Sequence, residues 1–294
     1  MTGRITKGIA GFYYVHDGKN LYECKAKGIF RKNHEKPLVG DHVRFDVISE
    51  EEKLGNIEEI LPRKNNLIRP EIANVDQIFL QFSAASPAPN YDMLNRYLVM
   101  VHDREIPVHL VVNKSELIGE EEKKKTEQAF FGTCYPIHFI SVREETGIRE
   151  LREIMAGKVT ALAGPSGVGK SSLMNLLLGD AVMETGSLSK KIDRGKNTTR
   201  HSELFFLQED TFLFDTPGFS SVEVNFIDKE DLQYTFDEFL PFIPECRYLT
   251  SCKHMKERDA DCAVKRAVKA GKISKERYGS YVLMYDYLAD IRRY

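Results

Sequence analysis

The run GPSGVGKS at Gly164–Ser171 constrains this chain more than any other segment. It fits G-x-x-x-x-G-K-[ST], follows the apolar segment Lys158 to Ala163, and opens the helix-like run from Lys170 to Leu178. Glycines at 164, 167 and 169 let the backbone turn tightly, so that successive N–H groups and the helix N-terminus can surround phosphates. Lys170 is placed to reach the β- and γ-phosphates of a nucleotide, and the Ser171 hydroxyl to ligate Mg²⁺. Pro165, Ser166, Val168 and Ser172 complete the expected nucleotide-binding segment. The competing reading is a Gly-rich turn into an ordinary helix, which the strand before and the helix after argue against.

The surrounding pattern agrees with such a motif. From Asn74 onward, apolar strands (Gln77 to Phe82, Pro107 to Asn113, Tyr135 to Ile140, Lys158 to Ala163) alternate with helix-like segments at Tyr91 to His102 and Glu120 to Phe131, and strands at Ser202 to Gln208 and Thr211 to Phe214 follow. This alternation predicts βαβ units on a parallel sheet. Residues 1 to about 70 instead carry short alternating runs, Ile9 to Val15, Asn20 to Ala26, His42 to Ile48 and Asn56 to Leu61, separated by Gly-containing turn signals, which predicts a small β-barrel. A third region begins near Phe226 and ends on an amphipathic stretch from Ser274 to Arg293. The expected organisation is therefore a barrel at 1–70, a nucleotide-binding domain at 71–225 and a helical module at 226–294, within 294 residues. The apolar runs fall short of the roughly 18 residues a membrane span needs, so a soluble, cytoplasmic protein with no membrane partner is expected. Forty-two basic against 44 acidic residues leave a net charge of −2, and global charge does not announce nucleic acid. Local charge differs: Lys190 to His201 and Lys253 to Arg277 are basic, which fits either a solvated face or an RNA contact.

Three further motifs refine the chemistry. DTPG at Asp215–Gly218 follows an apolar strand about 45 residues after the phosphate loop, where Asp215 can hold Mg²⁺ through water and the Gly218 amide can meet the γ-phosphate. Between them, Thr198 and Thr199 in GKNTTR are both candidates for the switch threonine that closes over Mg²⁺. NKSE at Asn113, Lys114, Ser115 and Glu116 ends a strand, and the Glu116 carboxylate can accept hydrogen bonds from guanine N1 and its exocyclic amine. Adenine lacks that donor pair, so the motif points to GTP and GDP. Ser141 and Val142, after the next strand, fit the loop on the other side of the base. The order base, base, phosphate, switch, Mg²⁺ is rotated relative to Ras-like GTPases, as in a circular permutation, which an open parallel sheet tolerates.

Cys246, Cys252, His254 and Cys262 read C-x5-C-x-H-x7-C. Three thiolates and one imidazole suit one closed, structural zinc per chain, and buried free cysteines are the alternative. The segment is poor in large apolar residues, which favours a metal as its organiser.

Taken together, the N-terminal barrel, NKSE, the Ser-Val pair, GPSGVGKSSLMN, GKNTTRH, DTPGF and the Cys-Cys-His-Cys cluster followed by AVKRAV resemble the ribosome small-subunit-dependent GTPase A family over nearly the whole chain. The resemblance implies a multidomain α/β protein: an OB-fold, a circularly permuted P-loop GTPase domain and a C-terminal, mainly helical zinc-binding domain. It implies a GTP hydrolase that acts in maturation of the small ribosomal subunit, with nucleotide state controlling association with ribosomal RNA; a monomer is expected. Three positions depart from the family pattern: Glu116 stands where Asp is usual, the zinc-ligand spacings exceed C-x4-C-x-H-x5-C, and Asn197 stands where His precedes the two threonines. Phe219 occupies the place of the glutamine that orients water in Ras-like enzymes, so hydrolysis by the isolated chain is expected to be slow. Phe12, Tyr13 and Tyr14 are candidates for base stacking or barrel packing, and Arg63, Lys64 and Arg69 for phosphate contacts or an exposed linker. Two other readings fit the motifs less well: a non-ribosomal regulatory GTPase with a protein partner, and a metabolic P-loop kinase.

Overall fold

The computed structural model describes residues 1–27, 30, 36–68, 70–102, 104–185, 203–208, 210–216 and 221–291. They form two compact units: Met1–Phe79 with Ile148–Ala163 and Lys170–Gly218, and Leu80–Gly147 with Gly164–Gly169 and Phe219–Tyr294.

In the first unit, β1 (Thr2–Ile9), β2 (Phe12–His16), β3 (Leu21–Ala26), β4 (His42–Ser49) and β5 (Leu54–Ile60) close a barrel in the order β1-β2-β3-β5-β4. Alternation decides which side chains enter it: Val43 and Phe45 point inward from β4 and meet Ile5, Val15, Tyr22 and Ile57. The apolar run beginning at Ile9 is split by a two-residue turn at Ala10–Gly11, both at positive φ, which pairs Ile9 with Phe12. A short hairpin, β6 (Asn66–Ile68) and β7 (Glu71–Ala73), follows the barrel. Here Arg63 is engaged inside the fold, donating to both oxygens of the buried Asp41 at 2.7 and 2.8 Å and to the Lys36 carbonyl at 2.7 Å. Lys64 pairs with Asp76 at 2.9 Å, and Arg69 lies outside the described residues.

The central sheet has six strands in the order β10-β9-β8-β11-β13-β12: β8 (Gln77–Ser83), β9 (Val108–Asn113), β10 (Ile137–Phe139), β11 (Val159–Ala163), β12 (Glu203–Gln208) and β13 (Thr211–Asp215). Every residue of β8, β11 and β13 is buried, as parallel strands covered on both faces require. β12 runs antiparallel to β13 and carries the barrel: Lys7 pairs with Glu203 at 3.0 Å, His16 stacks on Phe206 at 5.1 Å, and the Arg4 guanidinium lies 4.6 Å from the centre of the Phe212 ring.

Helices among the described residues include α1 (Tyr91–His102), α2 (Glu120–Ala129), α3 (Ile148–Met155), α4 (Lys170–Thr185), α5 (Ala263–Lys269) and α6 (Lys275–Asp290). α4 runs past Leu178 and on through Gly179. In the second unit the apolar core of the C-terminal region takes in Val99 of α1 alongside Leu232, Phe236, Phe239, Val264, Tyr281 and Met284. That core is larger than the cysteine segment's own composition suggests. Arg277, fully buried in α6, ties it together by donating to Glu238 at 2.6 and 3.2 Å and to Asn95 Oδ1 at 3.0 Å.

Candidate functional site

Asn113, the Ser141–Val142 pair, the phosphate loop and Asp215 lie at or just beyond the carboxyl ends of strands, where ligands collect on open α/β sheets. Asn113 closes β9 and is buried. Its Oδ1 accepts from Lys114 N at 2.8 Å and Val142 N at 3.2 Å, and its Nδ2 donates to the Val168 carbonyl at 2.9 Å. One side chain thus joins the base motif, the Ser141–Val142 loop and the phosphate loop. Lys114 adopts the left-handed conformation, with φ 63°, and its Nζ donates to the carbonyls of Ser86 and, at 3.3 Å, Gly167. Ser115 opens a 3-10 turn, Ser115–Leu117, and its N–H donates to the Ile140 carbonyl at 3.1 Å. Glu116 Oε2 is buried with no hydrogen-bond partner among the described residues, as a carboxylate awaiting a paired donor would be. Ser141 is fully buried, and its hydroxyl accepts from Glu144 N at 3.0 Å.

The phosphate loop is shaped by close approach. A Cβ on Gly164 would stand 2.0 Å from the Gln81 carbonyl oxygen, and one on Gly169 would stand 2.5 Å from Asn113 Nδ2. Ser166 and Gly167 are exposed at the crest of the loop, Pro165 is half-buried and Val168 is buried. In the first unit, Lys170 opens α4 and Ser171 and Ser172 follow it, both exposed. Burial lowers the Lys170 ammonium to about 8, and the Asp215 carboxylate opposes that shift. An anionic phosphate would oppose it further. Asp215, buried, ends β13, and the next residue, Thr216, donates its hydroxyl to the Leu162 carbonyl at 2.6 Å. The Ser171 hydroxyl and Asp215 carboxylate are hard oxygen donors of the kind Mg²⁺ takes. Thr198, Thr199, Asn197, Gly218 and Phe219 lie outside the described residues.

The second site is the Cys/His cluster. One ligand atom from each of Cys246, Cys252, His254 and Cys262 lies within 4.8 Å of the others, and all four residues are buried. His254 Nδ1 stands 3.7 Å from Cys246 Sγ and 3.4 Å from Cys262 Sγ. Its Nε2 meets Gln233 Oε1 at 2.9 Å. That acceptor requires the proton on Nε2 and leaves the Nδ1 lone pair facing the thiols. Burial holds the imidazole at about 4, keeping it neutral, and pushes the Cys252 thiol upward. Backbone N–H groups of Ala263 and Lys265 point at Cys246 Sγ, 3.3 Å, and Cys262 Sγ, 3.4 Å, where they would stabilise thiolates. The donor set fits a tetrahedral metal ion of the zinc type. The sequence pattern singles out these four clustered residues but not Gln233, a polar residue beside an apolar run.

A strand–Gly-rich loop–helix, a strand-end aspartate and a preceding base motif on one sheet define a circularly permuted P-loop GTPase behind a barrel. The sequence pattern of the RsgA GTPase family matches residues 60–225, and that of the RsgA N-terminal domain residues 2–57. The chain belongs to the RsgA GTPase family and is a GTP hydrolase. It is 46% identical to a protein of Agathobacter rectalis named small ribosomal subunit biogenesis GTPase RsgA, with the whole of both chains covered. It is 44% identical to the protein of that name from Alkaliphilus metalliredigens, over 99% of each. Among solved structures it is similar to YjeQ from Thermotoga maritima, with TM-score 0.81, 32% identity and 99% of each chain covered. It is also similar to YloQ, a circularly permuted GTPase, with TM-score 0.77, 36% identity, and 100% of this chain and 96% of that one covered. Among the described residues no helix is long and apolar enough to cross a membrane.

Proposed function

We propose that this GTP hydrolase acts in maturation of the small ribosomal subunit, with its nucleotide state controlling association with ribosomal RNA. The observation that carries this reading is the similarity to small ribosomal subunit biogenesis GTPases over the full length of the chain, barrel and Cys/His cluster included. We assign the barrel to residues 1–70, the GTPase to 71–225 and the metal-binding module to 226–294. The protein works as a cytoplasmic monomer.

At the site, Glu116 reads guanine from one side while Ser141 and Val142 flank it from the other, and Asn113 and Lys114 lock the base loop to the phosphate loop. Gly164 to Gly169 present backbone N–H groups to the phosphates, and Ser172 follows in the first turn of α4. Lys170 reaches the β- and γ-phosphates, and the Gly218 amide meets the γ-phosphate. Ser171, Asp215 and one of Thr198 and Thr199 would hold the magnesium that arrives with GTP, which would supply positive charge to offset that of the phosphates. Cys246, Cys252, His254 and Cys262 would hold one zinc, which would cross-link the C-terminal module.

With Phe219 in place of a water-orienting glutamine, turnover by the isolated chain is slow and the subunit accelerates it. GTP hydrolysis measured with and without purified small subunits tests this. The rate rises with subunits, and the gain shrinks as salt increases because phosphate contacts release counterions. Equal rates with and without subunits would refute the ribosomal reading.

A further inference from the structure

Gln81 is a polar residue on a strand otherwise apolar from Ile78 to Phe82, and it is fully buried. Its Nε2 donates to the Val168 carbonyl at 3.1 Å, the same oxygen that takes Asn113 Nδ2 at 2.9 Å. Both lone pairs of one phosphate-loop carbonyl are therefore filled by amides from neighbouring strands. Gln81 Oε1 is buried with no hydrogen-bond partner among the described residues. A side chain retained for stability alone would gain from losing that atom.

The consequence follows from peptide planarity. In a trans peptide the carbonyl and the N–H of the next residue point in opposite directions. Fixing the Val168 carbonyl toward the sheet aims the Gly169 N–H away from it, into the concavity of the loop. Gly169 is held at φ +95°, and a Cβ on it would stand 3.6 Å from Gln81 Nε2, so the two amides also flank the residue whose N–H they aim. Lys114 acts alike one peptide earlier, through the Gly167 carbonyl at 3.3 Å, and so orients the Val168 N–H.

We propose that Gln81 is a positioning residue for the nucleotide: through the Val168 carbonyl it presets the Gly169 N–H as a donor to the phosphates common to GTP and GDP. The proposal rests on the GTPase reading of the phosphate loop. Because the N–H it aims serves both nucleotides, Gln81 governs ground-state affinity rather than the chemical step.

The test replaces Gln81 with a side chain of similar length and no polar atoms, Gln81→Met. GTP and GDP are titrated with Mg²⁺, bound GTP is followed in a single turnover, and thermal unfolding is recorded without nucleotide. Loss of one of two hydrogen bonds on a carbonyl predicts Kd values for GTP and GDP raised together by about 2- to 10-fold. The single-turnover rate stays unchanged and the melting temperature is equal or higher. Unchanged Kd in a folded variant overturns the proposal, and so does a Kd loss accompanied by a drop in melting temperature, which marks a merely structural role. Should Gln81→Met not fold, hydrogen exchange of the Gln81 side-chain amide in wild-type protein decides: protection in the nucleotide-free state supports the clamp, and free exchange with solvent overturns it. Wild type titrated alongside separates the two levels, since a wild-type chain that binds no GTP overturns the GTPase reading itself.

Discussion

The phosphate loop and the Cys/His cluster both aim backbone N–H groups at negative charge, yet they are held in opposite ways. Around the phosphate loop, side chains from the sheet occupy the loop's carbonyls: Gln81 and Asn113 take Val168, and Lys114 takes Gly167. The loop's shape is thus held by the protein's own side chains. In the cluster, three thiols and an imidazole face one another in an apolar core, and Gln233, Ala263 N and Lys265 N help to offset their polarity from within the protein. On the proposed function, the first site serves a ligand that leaves and the second a metal that stays. Ligand removal should accordingly cost function at one site and structure at the other.

The largest expected effect lies at the first. Lys170→Ala abolishes measurable GTP hydrolysis and greatly weakens nucleotide binding, while unfolding stays close to wild type because a partly desolvated charge is removed; normal turnover would break the phosphate-loop assignment. At the second, elemental analysis of protein purified without chelator gives about one zinc per chain. Cys252→Ser lowers both zinc content and melting temperature and leaves GTP binding in place. Folded, reduced protein with no metal would erase the contrast between the two sites.

A third variant asks whether the C-terminal core rests on the metal alone. Arg277→Leu leaves Glu238 as an unpaired buried carboxylate and should destabilise by about 3–5 kcal/mol in denaturant unfolding. A loss under about 1 kcal/mol, the scale of exposed ion pairs, would show that the pair is not a structural node. Smallest is the base-reading change. Glu116→Ala should lose guanine preference by roughly 1–3 kcal/mol, because the base donors lose a charged acceptor. Glu116→Asp keeps the carboxylate, sheds a methylene's rotamer entropy, and leaves GTP binding equal or modestly tighter. Titrations of GTP against ATP on all three proteins measure this, and undiminished preference in the alanine variant would make the NKSE match accidental.

The same contrast explains what could be read in the sequence. The phosphate loop, the base motif and the strand-end aspartate are local patterns with fixed spacing, so their chemistry is visible in a few consecutive letters. α1 follows its sequence pattern from Tyr91 to His102, because its apolar periodicity is uninterrupted. Elements decided by tertiary partners were less legible. The turn at Ala10–Gly11 places an alanine at positive φ with no letter to announce it, and the helix-like run ends at Leu178 although α4 continues through Gly179. Gln81 and Gln233 act only through residues distant in sequence, Val168 and His254, so no local pattern marks them. Arg63, legible as an RNA contact or linker, turns inward to Asp41, a partner visible only after the barrel closes.

Co-sedimentation tests the central claim most directly, that nucleotide state governs engagement with the small ribosomal subunit. The full chain, loaded with a non-hydrolysable GTP analogue or with GDP, is layered with purified small subunits and centrifuged. The chain should pellet with subunits in the analogue state and be largely released with GDP. Equal recovery in both states, or none in either, would contradict it.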